Sequence, residues 1–283
     1  MAKLINNDDT LRQYLPNVFA TVKGEVSLFD KVKVDIDLAE NWVIETFVST
    51  KTFDDICGYA DDKPIKVITA KLIASEALRR AIPSLDLVLT PNGFGVVSNQ
   101  NVAPASKERV DRLIGSLADY RDECIANLLY SLQDCNVGQW VESSQGKFFG
   151  ASLFPNFNKF ETLEEMNDAD DKWQKYLELR AKAIDIELSL AEEYISMPLL
   201  ETLRKCNIND MLEVAQMHVC DSIQYEVLRV LRGESIRTKK MMDVVNYIRN
   251  NPDLFPEWHA SETAKLFSPP IFKNKKESRG YFF

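Results

Sequence analysis

Between Leu85 and Leu132 the hydrophobic period of the chain changes once, and that change restricts the folds open to it. Leu85, Leu87 and Leu89 alternate with Asp86, Val88 and Thr90, the period of a half-buried strand. In Pro91-Asn92-Gly93, proline is preset for the second position of a turn, asparagine suits the third, and glycine can take positive φ at the fourth. Phe94 to Ser98 then runs back, so the sequence predicts a β-hairpin over 85–98. From Val110 the period lengthens: Leu113, Ile114, Leu117, Cys124, Ile125, Leu128, Leu129 and Leu132 recur at helical spacing. Pro104 fits a first helical turn and Ser106 is an alternative N-cap. The expected helix, 106–132, would be roughly 40 Å long. A hairpin standing at the start of a long buried helix is a surface for other parts to pack on, which makes Leu87, Leu89, Phe94 and Val96 candidate interface residues.

Only 10 glycines and 11 prolines interrupt the 283 residues, and no repeat or low-complexity tract is visible. The expected fold class is therefore mainly α: a helical bundle around the long central helix, with the hairpin as one small β insertion. Further helices are expected over 4–16, 26–49, 52–58, 64–82, 173–195, 198–205, 210–232, 235–250 and 256–267, with Pro64 opening one and Ser196 and Asn209 as caps. The expected organisation is a helical domain over 1–135 carrying the hairpin, an aromatic Gly/Pro-punctuated loop over 136–160, a C-terminal helical region over 161–268, and a tail over 269–283.

The loop places Phe148, Phe149, Phe154, Phe157 and Phe160 among Gly146, Gly150 and Pro155. Five phenylalanines cannot face water cheaply, so they fold back into the core or dock on a neighbour, at about 25 cal/mol per Å² of apolar area removed from solvent. Phe148, Phe149 and Phe154 are the candidates for docking. In the tail, Lys273, Lys275, Lys276 and Arg279 outweigh Glu277, and the chain finishes Tyr281-Phe282-Phe283. It reads either as a solvated terminus or as a basic arm with an aromatic anchor for an acidic neighbouring subunit.

Chemistry is harder to find. A net charge of −9 and a pI near 5 argue against a general nucleic-acid binder, which needs clustered Lys and Arg. No apolar run approaches a membrane span, and the N-terminus lacks a signal-peptide core. Cysteines 57, 124, 135, 206 and 220 form no CxxC pair and read as reduced, buried small hydrophobes. His218 and His259 are the only histidines, too few for a histidine cage in a monomer. Asn167-Asp168-Ala169-Asp170-Asp171 suggests a calcium loop, but Trp173 stands where the turn glycine is required. Phosphate-loop, zinc-protease, nucleophile-elbow and kinase signatures are absent. The expectation is no catalytic residue, no cofactor and no metal: a protein that is not an enzyme.

Four stretches carry a resemblance. Leu4-Ile5-Asn6-Asn7-Asp8 with Leu15-Pro16-Asn17-Val18 is one, and the hairpin run Ile82-Pro83-Ser84-Leu85 to Phe94-Gly95-Val96-Val97 is the most specific. Ala103-Pro104-Ala105-Ser106-Lys107-Glu108-Arg109-Val110 and Gln145-Gly146-Lys147-Phe148-Phe149-Gly150 are the others. Over roughly residues 3–200 the chain resembles a family encoded in Bacteroidales phages and prophages, and its layout is similar to the helical head–tail connector (adaptor) proteins of tailed phages. The resemblance implies a virion structural protein of the neck. It would be made in the host cytoplasm and assembled as a homo-oligomeric ring between portal and tail. Its partners would be portal and neck proteins and, transiently, passing DNA, without a membrane. Residues beyond about 200 have no counterpart in that layout. The alternative expectation is a non-structural phage-encoded interaction or scaffolding protein; an enzyme with dispersed carboxylates is a third.

Overall fold

Side-chain chemistry sets where most of the helices begin. Asn7 caps α1 (Asp8–Tyr14), accepting from the Thr10 amide at 2.8 Å while the Thr10 hydroxyl accepts from the Asn7 N–H. Ser27 caps α2 (Leu28–Val43), Ser49 caps α3 (Thr50–Gly58), and Pro64 opens α4 (Pro64–Ala81). Helix α5 spans Lys107–Asp134, Ser143 caps α6 (Ser144–Gly150), and α7 is a single turn, Glu164–Asn167. Then come α8 (Lys172–Leu190), α9 (Met197–Ile208), α10 (Val214–Leu231), α11 (Thr238–Asn250), α12 (Pro256–His259) and α13 (Glu262–Leu266). The computed structural model describes residues 3–15, 26–85, 87–90, 93–96, 106–134 and 137–268.

The fold is mainly helical. Among the described residues the one sheet is a two-stranded pair: β1 (Leu87–Thr90) runs antiparallel to β2 (Gly93–Val96), with Leu87 opposite Val96 and Thr90 opposite Gly93. Pro91 and Asn92, expected to form the turn, lie outside the described residues. Two helices end differently from expectation. Helix α2 continues into a π-helical turn, Ile44–Val48, and α8 into another, Ala191–Ile195. Helix α10 starts four residues later than its sequence pattern suggests, because Glu213 and Gln216 form a reciprocal cap there instead of Asn209.

The chain divides into two compact units, Met1–Ala181 with Cys206–Met211, and Lys182–Lys205 with Leu212–Phe283. The division does not follow the expected boundaries at 135 and 160, since residues 136–160 belong to the first unit. There α4 lies against both α2 and α5. It is the most enclosed helix of that unit, whereas much of the first third of α5 is exposed. The reason is composition: Ala70, Ala74, Ala77 and Ala81 leave room for neighbouring backbones, and α5 turns apolar only on one stripe. Leu117 begins the fully covered part of that stripe, at 2% exposure. Leu117→Ala is expected to cost about 2–3 kcal/mol, the low end for a buried leucine because the turn before it is open to solvent. Guanidinium denaturation measures it.

Residues 137–160 are not a loop. A 3-10 turn (Val137–Glu142) and α6 carry Trp140 and Phe149 inward, and Phe154, Phe157 and Phe160 follow them. Phe149 lies between Phe47 and Trp140, with ring centroids 6.2 and 6.0 Å away; Phe154 stacks on Phe160 at 4.7 Å; and Tyr176 donates its hydroxyl to the Phe154 carbonyl at 2.9 Å. The phenylalanines therefore build the first unit's own core.

Candidate interaction surface

The expected interface residues separate into four sets. Phe149 and Phe154 are corrected: at 0% and 1% exposure they are interior residues and cannot dock on a partner. Phe148, their neighbour, points the other way and is 43% exposed. The backbone of Leu87, Leu89, Phe94 and Val96 forms β1 and β2. Lys273, Lys275, Lys276, Arg279, Tyr281, Phe282 and Phe283 lie outside the described residues.

Phe148 stands at the rim of a cleft of about 420 Å³ in the first unit, shared with Trp42, Glu45, Gln145, Trp173 and Leu177. Sequence explains the geometry. Phe148 and Phe149 are consecutive on α6, about 100° apart around the helix, so Phe149 can face the core while Phe148 stands at its edge. The Arg180 guanidinium covers the Phe148 ring at 4.1 Å from its centroid and bonds the Phe148 carbonyl, holding the exposed ring in place. Gln145 anchors the other wall by donating to the Ile44 and Glu45 carbonyls, which the π-helical turn presents.

The second unit carries a larger opening, about 440 Å³ between α10 and α11, whose lining includes His218, Asp221, Tyr225, Arg237, Lys240 and Val244. Beside it an apolar face is open to solvent: Val214, Met217 and Tyr225 on α10, from 48% to 86% exposed. The inward stripe of α10, Val219, Ile223 and Val227, was legible from its period. This second, outward stripe was not separated from it; its signal is apolar residues on the face opposite the core stripe. Methionine and tyrosine suit a contact surface, the first because it is flexible and polarisable, the second because it offers rigid area. Arg237 fixes the tyrosine: its guanidinium lies 4.6 Å from the Tyr225 centroid and holds Glu226 at 2.6 Å.

Several buried acids are engaged by arginines, while Glu40 accepts from the Lys3 and Leu4 amides. Glu76 accepts from Arg79 and Arg80 at 2.8 and 2.6 Å; burial pushes its carboxyl up, but the two guanidinium groups outweigh burial and hold it below the ordinary range. Arg121 bridges Asp122 and Asp171 at 2.7 and 2.9 Å. Burial dominates at Asp122 and raises its pKa despite Arg121. Burial also raises the Cys124 thiol to about 12, so this cysteine is a packing residue and a poor nucleophile. Among the described residues no three His, Cys, Asp or Glu side chains are grouped to hold a metal ion, and no helix is long and apolar enough to cross a membrane. Beside each opening an arginine lies over an exposed ring, Arg180 over Phe148 and Arg237 over Tyr225.

The model of a family of unknown function (DUF6712) matches residues 19–150 and 225–268, more than half of the chain. No curated protein matches, and no solved structure matches.

Proposed function

The chain belongs to the DUF6712 family, and we propose that it is a structural interaction protein that acts by binding further copies of itself. One observation carries this reading: the exposed face of Val214, Met217 and Tyr225 on α10, beside the α10–α11 groove. Large apolar side chains grouped on one face mark protein contacts more often than they mark solvated surface. A second copy is the occupant favoured by the groove's mixed charge, since Asp221 and Asp243 stand beside Arg237 and Lys240 and a self-complementary patch needs both signs. The resemblance to head–tail connectors supplies the setting: a ring in the neck of a phage particle, between portal and tail.

Purified full-length protein is therefore expected to form closed rings, visible by negative-stain electron microscopy and sized by light scattering. Met217→Asp should leave the monomer folded, because the side chain is exposed, and should reduce the rings to monomers. A wild-type protein that stays monomeric at high concentration would sink the proposal. The rival reading, a non-structural phage-encoded interaction or scaffolding protein, is separated by mass spectrometry of purified virions. Stoichiometric presence supports the neck component, and absence supports the rival.

A further inference from the structure

The two units share a design that a fixed sequence period conceals. In the first unit, α2 ends in the π-helical turn 44–48, and Ser49 follows at φ 70, ψ 157. In the second, α8 ends in the π-helical turn 191–195, and Ser196 follows at φ 74, ψ 146. This corner of backbone space belongs almost exclusively to glycine, yet a serine occupies it twice. Both serines donate their N–H five residues back, to Ile44 and Ala191, and both cap the next helix through Oγ, on the amides of Thr52 and Leu199. Nine residues before each serine is a buried glutamate, Glu40 and Glu187.

The equivalence continues through the rest of each unit. The carbonyl two residues before each serine, Phe47 or Tyr194, accepts from a buried indole: Trp140 Nε1 at 2.6 Å, Trp258 Nε1 at 2.8 Å. Each tryptophan opens the same pattern. Trp140 is followed by Ser143, Lys147 and Phe149, and Trp258 by Ser261, Lys265 and Phe267 at identical spacing. Both serines cap the next short helix. The ring pairs match as well: Trp140–Phe149 centroids are 6.0 Å apart at 29°, and Trp258–Phe267 centroids are 6.1 Å apart at 32°.

On the third helix of each set, Ile73-x-x-Glu76-x-Leu78-Arg79 corresponds to Ile223-x-x-Glu226-x-Leu228-Arg229. Both glutamates are buried, and both meet an arginine of the fourth helix or its start: Arg121 lies 3.7 Å from Glu76, and Arg237 lies 2.6 Å from Glu226. From those arginines onward, Ile125, Leu128, Leu129 and Leu132 match Met241, Val244, Val245 and Ile248, all buried at the same spacing.

We infer that the chain is a tandem pair of one helical module, residues 35–149 and 182–267, in which the third helix is enclosed in the first module and leaves one face open in the second. The hairpin and the first half of α5 have no counterpart in the second module, where seven residues, 230–236, join the two equivalent stretches. The faces diverge at matched positions. Leu72 and Ser75 are fully buried on α4, whereas their equivalents, Ser222 and Tyr225, border the open groove. The use of that open face rests on the proposed function; the repeated frame does not.

The frame and the face are tested separately in the full-length protein. Ser49→Gly and Ser196→Gly should both keep or raise the melting temperature, since glycine relieves the backbone, while Ser49→Val and Ser196→Val should both lower it. Opposite behaviour at the two serines, or an experimental structure with either at negative φ, overturns the equivalence. Ser75→Tyr should destroy cooperative unfolding, and Tyr225→Ser should dissociate the rings while melting, in dilute solution, at the temperature of wild type diluted to monomers. A Tyr225→Ser variant that melts markedly lower overturns the open face. One that melts normally and still forms rings leaves the repeat standing and refutes the face as the contact surface.

Discussion

Trp140→Ala is expected to remove about 3–5 kcal/mol of folding stability, the range for deleting a buried large aromatic. The indole is 1% exposed and packs on Phe149, so truncation opens a cavity in the middle of the first unit's aromatic core. A polar loss adds to the apolar one. The Phe47 carbonyl sits in the π-helical turn and accepts from the indole at 2.6 Å; taking that donor away leaves a buried acceptor short of a hydrogen bond, a cost of about 1–3 kcal/mol where water cannot enter. Trp140→Phe separates the two effects, because it keeps most of the volume and none of the hydrogen bond. Its loss should be near the hydrogen-bond figure alone. Guanidinium denaturation of both variants measures the difference, and a loss below about 1 kcal/mol for Trp140→Ala would place the residue outside the core. Trp258→Ala, in the matching position on Tyr194, should lose stability for the same two reasons.

The fate of these aromatics shows what the sequence could and could not convey. Helix starts were legible at Pro64 and Ser196, because a helix start is a local event decided by one side chain and the next turn. The stripes through Leu128 and Val227 were legible for the same reason of short range. Whether five phenylalanines fold home or dock outward is a tertiary question, and composition permits both; only the stack of Phe149 on Phe47, a hundred residues away in the chain, answers it. Of the residues singled out for an interface, Phe148 keeps its place at a cleft, while Phe149 and Phe154 lose theirs to the core. The face of Met217 and Tyr225 was missed, since an exposed stripe on a helix that also has a buried one blurs into general hydrophobicity. The repeat was missed for a different reason. Its matched residues keep their spacing only within single elements, and the hairpin lies inside one module, so no constant period survives. Of the stretch that looked like the organising centre of the chain, the hairpin and the first half of α5 are, in the module's terms, an insertion, while Arg121 to Leu132 belong to the repeated frame.

Arg121→Met should cost about 3–5 kcal/mol at neutral pH, the penalty for removing one partner of a buried ion pair and leaving the other uncompensated. Methionine fills much of the volume, so the loss is electrostatic in origin. Asp122 bears it. At 3% exposure this carboxylate keeps only the long contact from the Lys172 amide, 3.3 Å, once the guanidinium is gone, while Asp171 is half exposed and water can serve it. The sign of the pH dependence follows. Burial already raises Asp122 above its ordinary value of 3.8, and without Arg121 it must rise further. An acid with a raised folded-state pKa binds more protons folded than unfolded between 3.8 and that raised value, so its contribution to stability falls as pH rises through the window and the penalty is complete above it. Glu76 behaves in the opposite sense: its lowered pKa gives stability that is present above 4.5 and lost as pH drops through the folded value. Arg79 and Arg80 still hold Glu76 in the variant, so most of that loss is common to both proteins and cancels between them. The gap between wild type and Arg121→Met should therefore be widest at neutral pH and narrow on acidification, as Asp122 takes up its proton and ceases to be a buried charge. Denaturation midpoints from pH 7 down toward 4 would show this convergence. A deficit that stays constant across the range would mean that Arg121 contributes packing instead of neutralising Asp122.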